Sequence, residues 1–238
     1  MGGLNLIHAD YDNDGDVDVF VLRGGWFEQG GGIPNSLLAN DGAGHFTDVT
    51  EAAGLLSFHP TQTAAFGDYD GDGWCDLFFS GLDSENKLYR NLGGWKFEDV
   101  SAKARVRGKH FPSTGACFVD VNGDRRLDLI SNTVGRGTWV LLNDGQGSFR
   151  AVRPVNAKGG GMSMALADVD GDGDLDLYVV NHIDFDAQSV HEQGLRMQYF
   201  NQEVYYGPLG LDGEPDRLFM NRGDGTFADV SEASGIGA

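Results

Sequence analysis

Four groups of aspartates recur along the chain at a spacing that suits a bound metal cation. Each group follows the nine-residue pattern D-x-[DN]-x-D-x-x-x-D, beginning at residues 10, 68, 120 and 168, and these segments are called loops 1 to 4. When such a segment turns tightly, the side-chain oxygens of positions 1, 3 and 5 converge, and the carbonyl of position 7 and the carboxylate of position 9 complete an oxygen cage. Calcium prefers about six to eight oxygen ligands, whereas magnesium requires stricter octahedral geometry. The spacing therefore predicts up to four calcium sites, and no Cys and His residues are spaced for zinc.

The predicted calcium ligands occupy the same five positions in every loop, with position 7 contributing its backbone carbonyl. They are, in chain order, Asp10, Asp12, Asp14, Asp16, Asp18, Asp68, Asp70, Asp72, Trp74, Asp76, Asp120, Asn122, Asp124, Arg126, Asp128, Asp168, Asp170, Asp172, Asp174 and Asp176. Loop 3 is expected to bind calcium most weakly, because Asn122 replaces a carboxylate and Arg125 replaces the glycine at position 6.

Two other interpretations of these loops are weaker. An EF-hand needs a bidentate Glu at position 12, but that position holds Val21, Phe79, Ser131 and Val179. Aspartates also cap turns that bind no metal, yet carboxylates packed this closely would repel one another without a cation. Calcium binding is therefore the favoured interpretation.

A second motif follows each loop and defines the repeat. It opens with an asparagine, has a glycine two residues later, and ends with a phenylalanine and a valine at constant offsets. The asparagines are Asn40, Asn91, Asn143 and Asn221, and the phenylalanines are Phe46, Phe97, Phe149 and Phe227. Short apolar segments bounded by Gly, Asn and Asp predict strands on both sides of every loop. The first strand of each repeat is predicted at residues 4–9, 63–67, 115–119 and 163–167.

Four short strands in each repeat of about 50 residues are typical of propeller blades. The sequence therefore predicts an all-β protein, a β-propeller of four-stranded antiparallel blades. The blades are predicted at approximately residues 3–52, 60–104, 112–153 and 159–236 of one domain, residues 1–238. Alternate connections of such a blade lie on opposite faces, so the aspartate loops share a face with the asparagine turns. The opposite face, here called the insertion face, receives two long insertions at residues 23–35 and 182–216.

The insertion face is where we expect a protein or glycan ligand. Exposed aromatic residues on a long loop often bind a partner, although a loop that is merely packed and solvated is an equal alternative. The residues concerned are His182, Asp184, Asp186, His191, Glu192, Tyr199, Phe200, Tyr205 and Tyr206. Two further histidines, His59 and His110, precede prolines in equivalent connections between blades. The favoured interpretation is that both histidines belong to ordinary turns of these connections, and the alternative is that they line a pocket.

Composition excludes several classes of function. Lys and Arg total 17 against 36 Asp and Glu, giving a formal charge of -19. Such a surface repels nucleic-acid phosphates and anionic membranes. No apolar segment approaches the ~20 residues of a membrane span. The two cysteines, Cys75 and Cys117, cannot form a disulfide scaffold, and their apolar positions predict buried free thiols.

The two motifs together resemble the FG-GAP/VCBS repeats of integrin-like calcium-binding β-propellers. Residues 48–54, 206–218 and 229–235 are similar to the cartilage acidic protein and ASPIC/UnbV-associated branch of that family. The resemblance implies an extracytoplasmic propeller, stabilised by calcium, that serves in adhesion or binding. Members usually carry more repeats, so we expect the four blades to belong to a larger ring of about seven, with the further blades absent from this chain.

The sequence predicts a non-catalytic interaction module. No nucleophile, base and acid are spaced as a catalytic set, because the notable carboxylates belong to the repeats. The alternative is a carbohydrate-binding or polysaccharide-acting propeller, a lectin or a lyase, that uses the insertion face. The tripeptide Arg222-Gly223-Asp224 spells an adhesion motif, but it falls in the repeated asparagine turn, where a structural role is favoured.

Overall fold

The computed structural model describes residues 5–23, 33–81, 84–108, 113–157, 159–182, 196–199, 202–205 and 212–236. Every regular element in these residues is a β-strand, because the sequence supplies only short apolar segments separated by turn residues. The described part of the chain contains no helix long and apolar enough to span a membrane.

The strands form four separate four-stranded antiparallel sheets. The first contains β1 (Asn5–Ala9), β2 (Asp18–Leu22), β3 (Ser36–Asn40) and β4 (Phe46–Asp48). The second contains β5 (Thr61–Gly67), β6 (Asp76–Gly81), β7 (Lys87–Asn91) and β8 (Phe97–Asp99). The third contains β9 (Ser113–Val119), β10 (Asp128–Thr133), β11 (Gly137–Asn143) and β12 (Phe149–Ala151). The fourth contains β13 (Gly161–Ala167), β14 (Asp176–Asn181), β17 (Arg217–Asn221) and β18 (Phe227–Asp229), with the separate hairpin β15 (Arg196–Tyr199) and β16 (Gln202–Tyr205) between β14 and β17.

Each sheet is an up-and-down meander in which the strands pair in chain order, with the hairpin β15–β16 standing apart from the fourth sheet. This arrangement confirms the predicted all-β class and the four antiparallel blades of a propeller. The first strands β1, β5, β9 and β13 lie side by side in chain order. An aspartate loop joins the first two strands of each blade, and an asparagine turn joins the last two.

Strand ends differ from those predicted, and β-bulges explain part of the difference. Strands β5 and β13 begin two residues earlier than predicted, at Thr61 and Gly161, beyond register shifts that break the alternation of inward and outward residues. The predicted first strand, residues 4–9, is described from Asn5 onward, and Leu4 lies outside the described residues. The hairpin β15–β16 was not among the predicted strands.

Apolar side chains from facing sheets pack between consecutive blades. Alternation along β6 shows how one strand serves two interfaces. Leu77 and Phe79 join the cluster shared with the first blade, whereas Phe78 between them joins the cluster shared with the third blade. All three side chains are fully buried. Because both faces of the strand are covered, its centre is a continuous apolar run, Leu77–Phe79, rather than an alternating one.

In three blades a hydrogen bond closes the base of the connection between the second and third strands, and this closure is here called the neck. The side chain immediately before the third strand accepts the backbone N–H at the end of the second strand. Asn35 Oδ1 accepts from Arg23 at 2.7 Å, Asn86 Oδ1 from Gly81 at 3.2 Å, and Asp216 Oδ1 from Asn181 at 2.9 Å.

Candidate metal centres

Three of the four loops bring carboxylates together closely enough to share a cation. Oxygens of positions 1, 3 and 9 lie within 4.8 Å of one another in loops 1, 2 and 4. The clusters are Asp10, Asp12 and Asp18; Asp68, Asp70 and Asp76; and Asp168, Asp170 and Asp176. The carboxylates of position 5, also predicted as ligands, fall outside these clusters. Loop 3 offers the amide of Asn122 in place of the carboxylate at position 3.

The aspartate at position 1 shapes each loop by accepting backbone N–H groups from the far side of the turn. Asp68 Oδ1 accepts from Gly71 at 2.8 Å and from Asp72 at 3.0 Å, and Asp68 Oδ2 accepts from Gly73 at 2.9 Å. Equivalent bonds involve Asp10, Asp120 and Asp168. These bonds orient the carboxylate inside the loop.

Two positions of each loop adopt a left-handed backbone, which explains the glycines. In loop 2 these are Gly71 at position 4 and Gly73 at position 6, with φ of 75° and 90°. Asn13 at position 4 of loop 1 has φ of 59°, a conformation that asparagine tolerates better than most residues. Arg125 at position 6 of loop 3 has φ of 66°, so this loop keeps its turn at a conformational cost. The sequence motif predicted the requirement at position 6 but missed the one at position 4.

Position 5 caps the backbone N–H of position 7 in all four loops. The N···O distances are 2.8 Å for Asp16 and Asp14, 3.0 Å for Trp74 and Asp72, 2.9 Å for Arg126 and Asp124, and 2.9 Å for Asp174 and Asp172. The predicted position-7 residues therefore lie next to the predicted position-5 ligands.

The aspartate at position 9 is buried in every loop and connects the loop to the third strand. Asp76 accepts the N–H of Tyr69 at 3.0 Å with one oxygen and that of Asn91 at 2.8 Å with the other. Burial raises the pKa of Asp76 to about 7, although these two hydrogen bonds act in the opposite direction. Asp18, Asp128 and Asp176 make the equivalent pairs of bonds.

Loop 1 contains an oxygen that a cation would satisfy. Asp12 Oδ1 is buried and has no hydrogen-bond partner among the described residues. Burial, together with the nearby charges of Asp14 and Asp18, raises the pKa of Asp12. A buried carboxylate oxygen without a hydrogen-bond partner is costly. The donor set is made of hard oxygens, so the residues fit calcium.

Arginines approach two of the loops. Arg90 Nε lies 2.6 Å from Asp70 Oδ2, and its Nη2 lies 2.7 Å from Asp72 Oδ2. In loop 3 the Arg126 guanidinium pairs with Asp124. Sequence analysis missed Arg90, and the signal was its position immediately before Asn91, where the other repeats have Ala39, Leu142 and Met220.

In the second, third and fourth blades, the asparagine that opens the turn links the blade to the preceding loop. Asn143 Nδ2 donates to Leu127 O in its own loop at 3.0 Å and to Tyr69 O, at position 2 of loop 2, at 2.7 Å. Asn91 and Asn221 make the same two bonds, to loops 1 and 2 and to loops 3 and 4 respectively. The motif asparagine is therefore an interblade link, which explains its constant offset.

The glycine two residues after each asparagine is needed for space as well as for conformation. Gly93 has φ of 74°, and a Cβ there would lie 2.6 Å from the Trp74 ring. Gly42 and Gly223 similarly face Asp16 and Asp174. The side chain at loop position 7 thus packs on the asparagine turn, and the loop and the turn share one face.

The remaining predicted residues have structural surroundings or lie outside the described residues. The half-buried His59 places Nε2 2.6 Å from Glu85 O and Nδ1 3.1 Å from Thr61 Oγ1. Asp224 of the Arg-Gly-Asp sequence accepts the N–H of Thr226 at 2.9 Å within its turn. Cys75 and Cys117 are free, and burial raises the pKa of each thiol to about 12.

Of the residues predicted for the ligand face, Tyr199 and Tyr205 end the two strands of the hairpin β15–β16. His110, Asp184, Asp186, His191, Glu192, Phe200 and Tyr206 lie outside the described residues. His182 is described and exposed, and its carbonyl accepts the N–H of Glu214 at 3.5 Å.

Comparisons with known proteins identify the repeat. Residues 10–79, 68–131 and 120–179 each match the FG-GAP-like repeat family. No curated protein matches the chain. This chain is similar to a solved structure of a lectin from Agrocybe aegerita, at 17% identity and with a TM-score of 0.47. That structure is reported as the structural basis of specific recognition of non-reducing terminal N-acetylglucosamine. That match covers 94% of this chain, which spans 64% of the length of the lectin chain.

Proposed function

Because the chain belongs to the family of FG-GAP-like repeat proteins, we propose that it is a calcium-binding β-propeller interaction module without catalytic activity. The observation that carries the proposal is the convergence of positions 1, 3 and 9 in loops 1, 2 and 4. The unpartnered, buried oxygen of Asp12 adds support, since a cation would satisfy it. Bound calcium would supply the positive charge that balances these carboxylates.

The role of calcium in this proposal is structural. Asp76 belongs to a carboxylate cluster, and it also holds the N–H groups of Tyr69 and Asn91. Asn91 in turn bonds to loop 1 of the preceding blade. A cation that fixes Asp76 in its ionised form therefore strengthens the bonds that hold the blade together and, through Asn91, those that hold it to its neighbour.

Calorimetric titration tests calcium binding directly. Protein freed of metal by chelation is titrated with calcium, and its melting temperature is measured before and after. We expect binding at loops 1, 2 and 4, with loop 3 filled last, and a rise in melting temperature because a ligand of the native state stabilises it. Magnesium serves as the control cation and should bind more weakly. An absence of binding heat together with an unchanged melting temperature would refute the proposal.

The insertion face is the proposed location of the partner, a protein or a glycan. The protein is proposed to act outside the cytoplasm, as the resemblance implies, with no nucleic-acid ligand and no insertion into membranes. The alternative, a lectin or lyase, requires aromatic and charged side chains together on this face. Trp139, Arg105 and Arg107 lie around one cavity there and are compatible with it. Binding to a glycan array, compared with a panel of extracellular proteins, separates the two kinds of partner.

A further inference from the structure

A cavity of about 310 Å³ lies between the second and third blades. Its walls are apolar and include Phe78, Val106, Leu129 and Leu141. Thr133, at the end of β10, and Trp139, near the start of β11, also line it, which places the cavity toward the insertion face. It contains none of the loop aspartates, so it is a different site from the candidate metal centres.

The cavity exists because the third blade lacks an aromatic residue that the second blade has. Three residues after the last loop aspartate, the second blade carries Phe79, which faces the preceding blade. The Phe79 ring stacks on Phe20 of the first blade, with ring centroids 4.9 Å apart and an angle of 20° between planes. The third blade carries Ser131 at the equivalent position, opposite Phe78. The third blade therefore has no ring at this position; Trp139, which pairs with Ser131 where Lys87 pairs with Phe79, lines the remaining space.

A second replacement enlarges the same space. Tyr89 of the second blade packs on Phe79, with ring centroids 5.2 Å apart. Leu141 takes the position of Tyr89 in the third blade, since it pairs with Leu129 as Tyr89 pairs with Leu77. Two aromatic side chains of one interface are therefore replaced by a serine and a leucine in the next. The space left open is lined by apolar side chains, as a site for a stacked aromatic ring requires.

The hydroxyl of Ser131 gives this largely apolar space a buried polar group without a partner among the described residues. Ser131 is only 3% exposed, and its Oγ has no hydrogen-bond partner among the described residues. A buried hydroxyl without a partner is unfavourable. Small-molecule sites typically combine apolar walls with a few hydrogen-bonding groups of this kind. Exposed Arg105, Arg107 and Ala151 are also in the lining, so the cavity opens to the surface.

We propose that this cavity binds a small phenolic compound. The aromatic ring takes the place against Phe78 that Phe79 takes against Phe20, and the phenolic hydroxyl pairs with Ser131 Oγ. An aromatic ring matches the stacked geometry of the equivalent interface better than an aliphatic chain does. The hydroxyl removes the cost of the unpartnered serine, so a phenol should bind more tightly than benzene.

Titration of the calcium-saturated chain with phenol and with benzene, followed by amide chemical shifts, tests the proposal. We expect phenol to bind about fivefold more tightly than benzene, the effect of one neutral hydrogen bond. Shift changes should centre on Phe78, Ser131 and Trp139. Absence of phenol binding, or shifts centred elsewhere, would overturn the assignment.

Two substitutions at one position separate the cavity from the hydrogen bond. Ser131→Phe should abolish binding of both compounds, because it restores the missing ring, and it should leave the melting temperature unchanged or raised. Ser131→Ala should keep benzene binding and remove the preference for phenol. Phenol binding equal to wild type in Ser131→Ala would exclude the hydrogen bond and thereby the proposed ligand class. If Ser131→Phe does not fold, Ser131→Leu occupies the same space, and undiminished phenol binding to it would equally contradict the proposal.

Discussion

The side chain of Asn91 donates a hydrogen bond of 2.8 Å to the carbonyl of Tyr11, a residue 80 positions earlier in the sequence. Tyr11 N–H is in turn held by Asp18, the last aspartate of loop 1. Tyr11 therefore bonds to Asp18 of the carboxylate cluster through its N–H and to Asn91 of the next blade through its carbonyl. The same pairing recurs between Asn143 and Tyr69.

We predict that Asn143→Ala lowers the free energy of unfolding by about 1–3 kcal/mol, because it deprives two carbonyls of their donor. Urea unfolding measures the change. Asn40→Ala is the matched control, because among the described residues Asn40 Nδ2 bonds only to Val17 O of its own loop. A loss for Asn40→Ala as large as that for Asn143→Ala would contradict the interblade role of the asparagine.

Removal of Arg90 should increase the calcium affinity of loop 2. Its guanidinium pairs with Asp70 and Asp72, so it competes with a cation for the same carboxylates. Arg90→Ala should therefore raise the affinity several-fold and lower the melting temperature of chelated protein. The measurement is calcium titration of loop 2, followed by the amide shift of Gly73. Lys87→Ala, which removes a salt bridge to Asp99 outside the loop, is the control. Equal affinities in Arg90→Ala and wild type would contradict the competition.

The contribution of His59 to stability should fall as the pH drops below about 6.5. Burial lowers the pKa of His59 in the folded protein, although the hydrogen bond to Glu85 O acts in the opposite direction. The unfolded chain therefore takes up a proton at higher pH than the folded chain, and protonation favours unfolding. The loss of stability begins near the pKa of His59 in the unfolded chain and ends once the pH is below its pKa in the folded protein.

The His59 contribution is measured by comparing urea midpoints at several pH values in wild type and His59→Gln. As the pH is lowered through this interval, the wild-type midpoint should fall relative to that of His59→Gln. His45→Gln, on the exposed asparagine turn of the first blade, serves as the control for removal of a histidine outside the blade connections. An identical slope in wild type and His59→Gln would contradict the prediction.

The outer faces of the first and fourth blades should associate. At the internal interfaces the position-2 residue of one loop packs on the motif phenylalanine of the next blade, as Tyr69 does on Phe149 at a ring distance of 5.7 Å. Phe149 is 2% exposed and Tyr69 is 4% exposed. Val169, at position 2 of loop 4, and Phe46, the motif phenylalanine of the first blade, have no such partner among the described residues. They are 56% and 49% exposed, respectively. We therefore expect each face to accept another blade, either a further blade of the ring or that of a second copy.

Sedimentation velocity over a range of protein concentrations tests this association. Val169→Asp and Phe46→Asp should each shift the protein toward monomer. Leu92→Asp, at an apolar residue that is 49% exposed but lies within an internal blade, should not. A wild-type protein that stays monomeric at every concentration would refute the expectation.

The repeat could be predicted from the sequence because its defining residues act locally. Asp68 folds its own loop through bonds within five residues, and such bonds leave a fixed spacing in the sequence. The blade count and the antiparallel order followed from that spacing. Strand ends were less predictable, because the bulge near Thr61 changes the pairing without a distinctive residue.

The parts that could not be predicted depend on contacts between repeats. Nothing in the spacing of the motif indicates that Asn221 reaches Val121, 100 residues away. Arg90 was missed because its partners, Asp70 and Asp72, were interpreted only as calcium ligands. The cavity beside Ser131 became recognisable only when Phe79 was seen to fill the equivalent space.

The hydrogen-bonded necks have a consequence for how this protein can vary. Asn35, Asn86 and Asp216 each close a connection at its base, whether the connection returns after a few residues, as it does before Asn86, or after more than thirty, as it does before Asp216. Because the closure does not depend on the length of chain beyond it, evolution can lengthen, shorten or exchange that chain while the blade stays intact. The insertion face can therefore diversify rapidly over a constant scaffold, and foreign recognition segments should be graftable there.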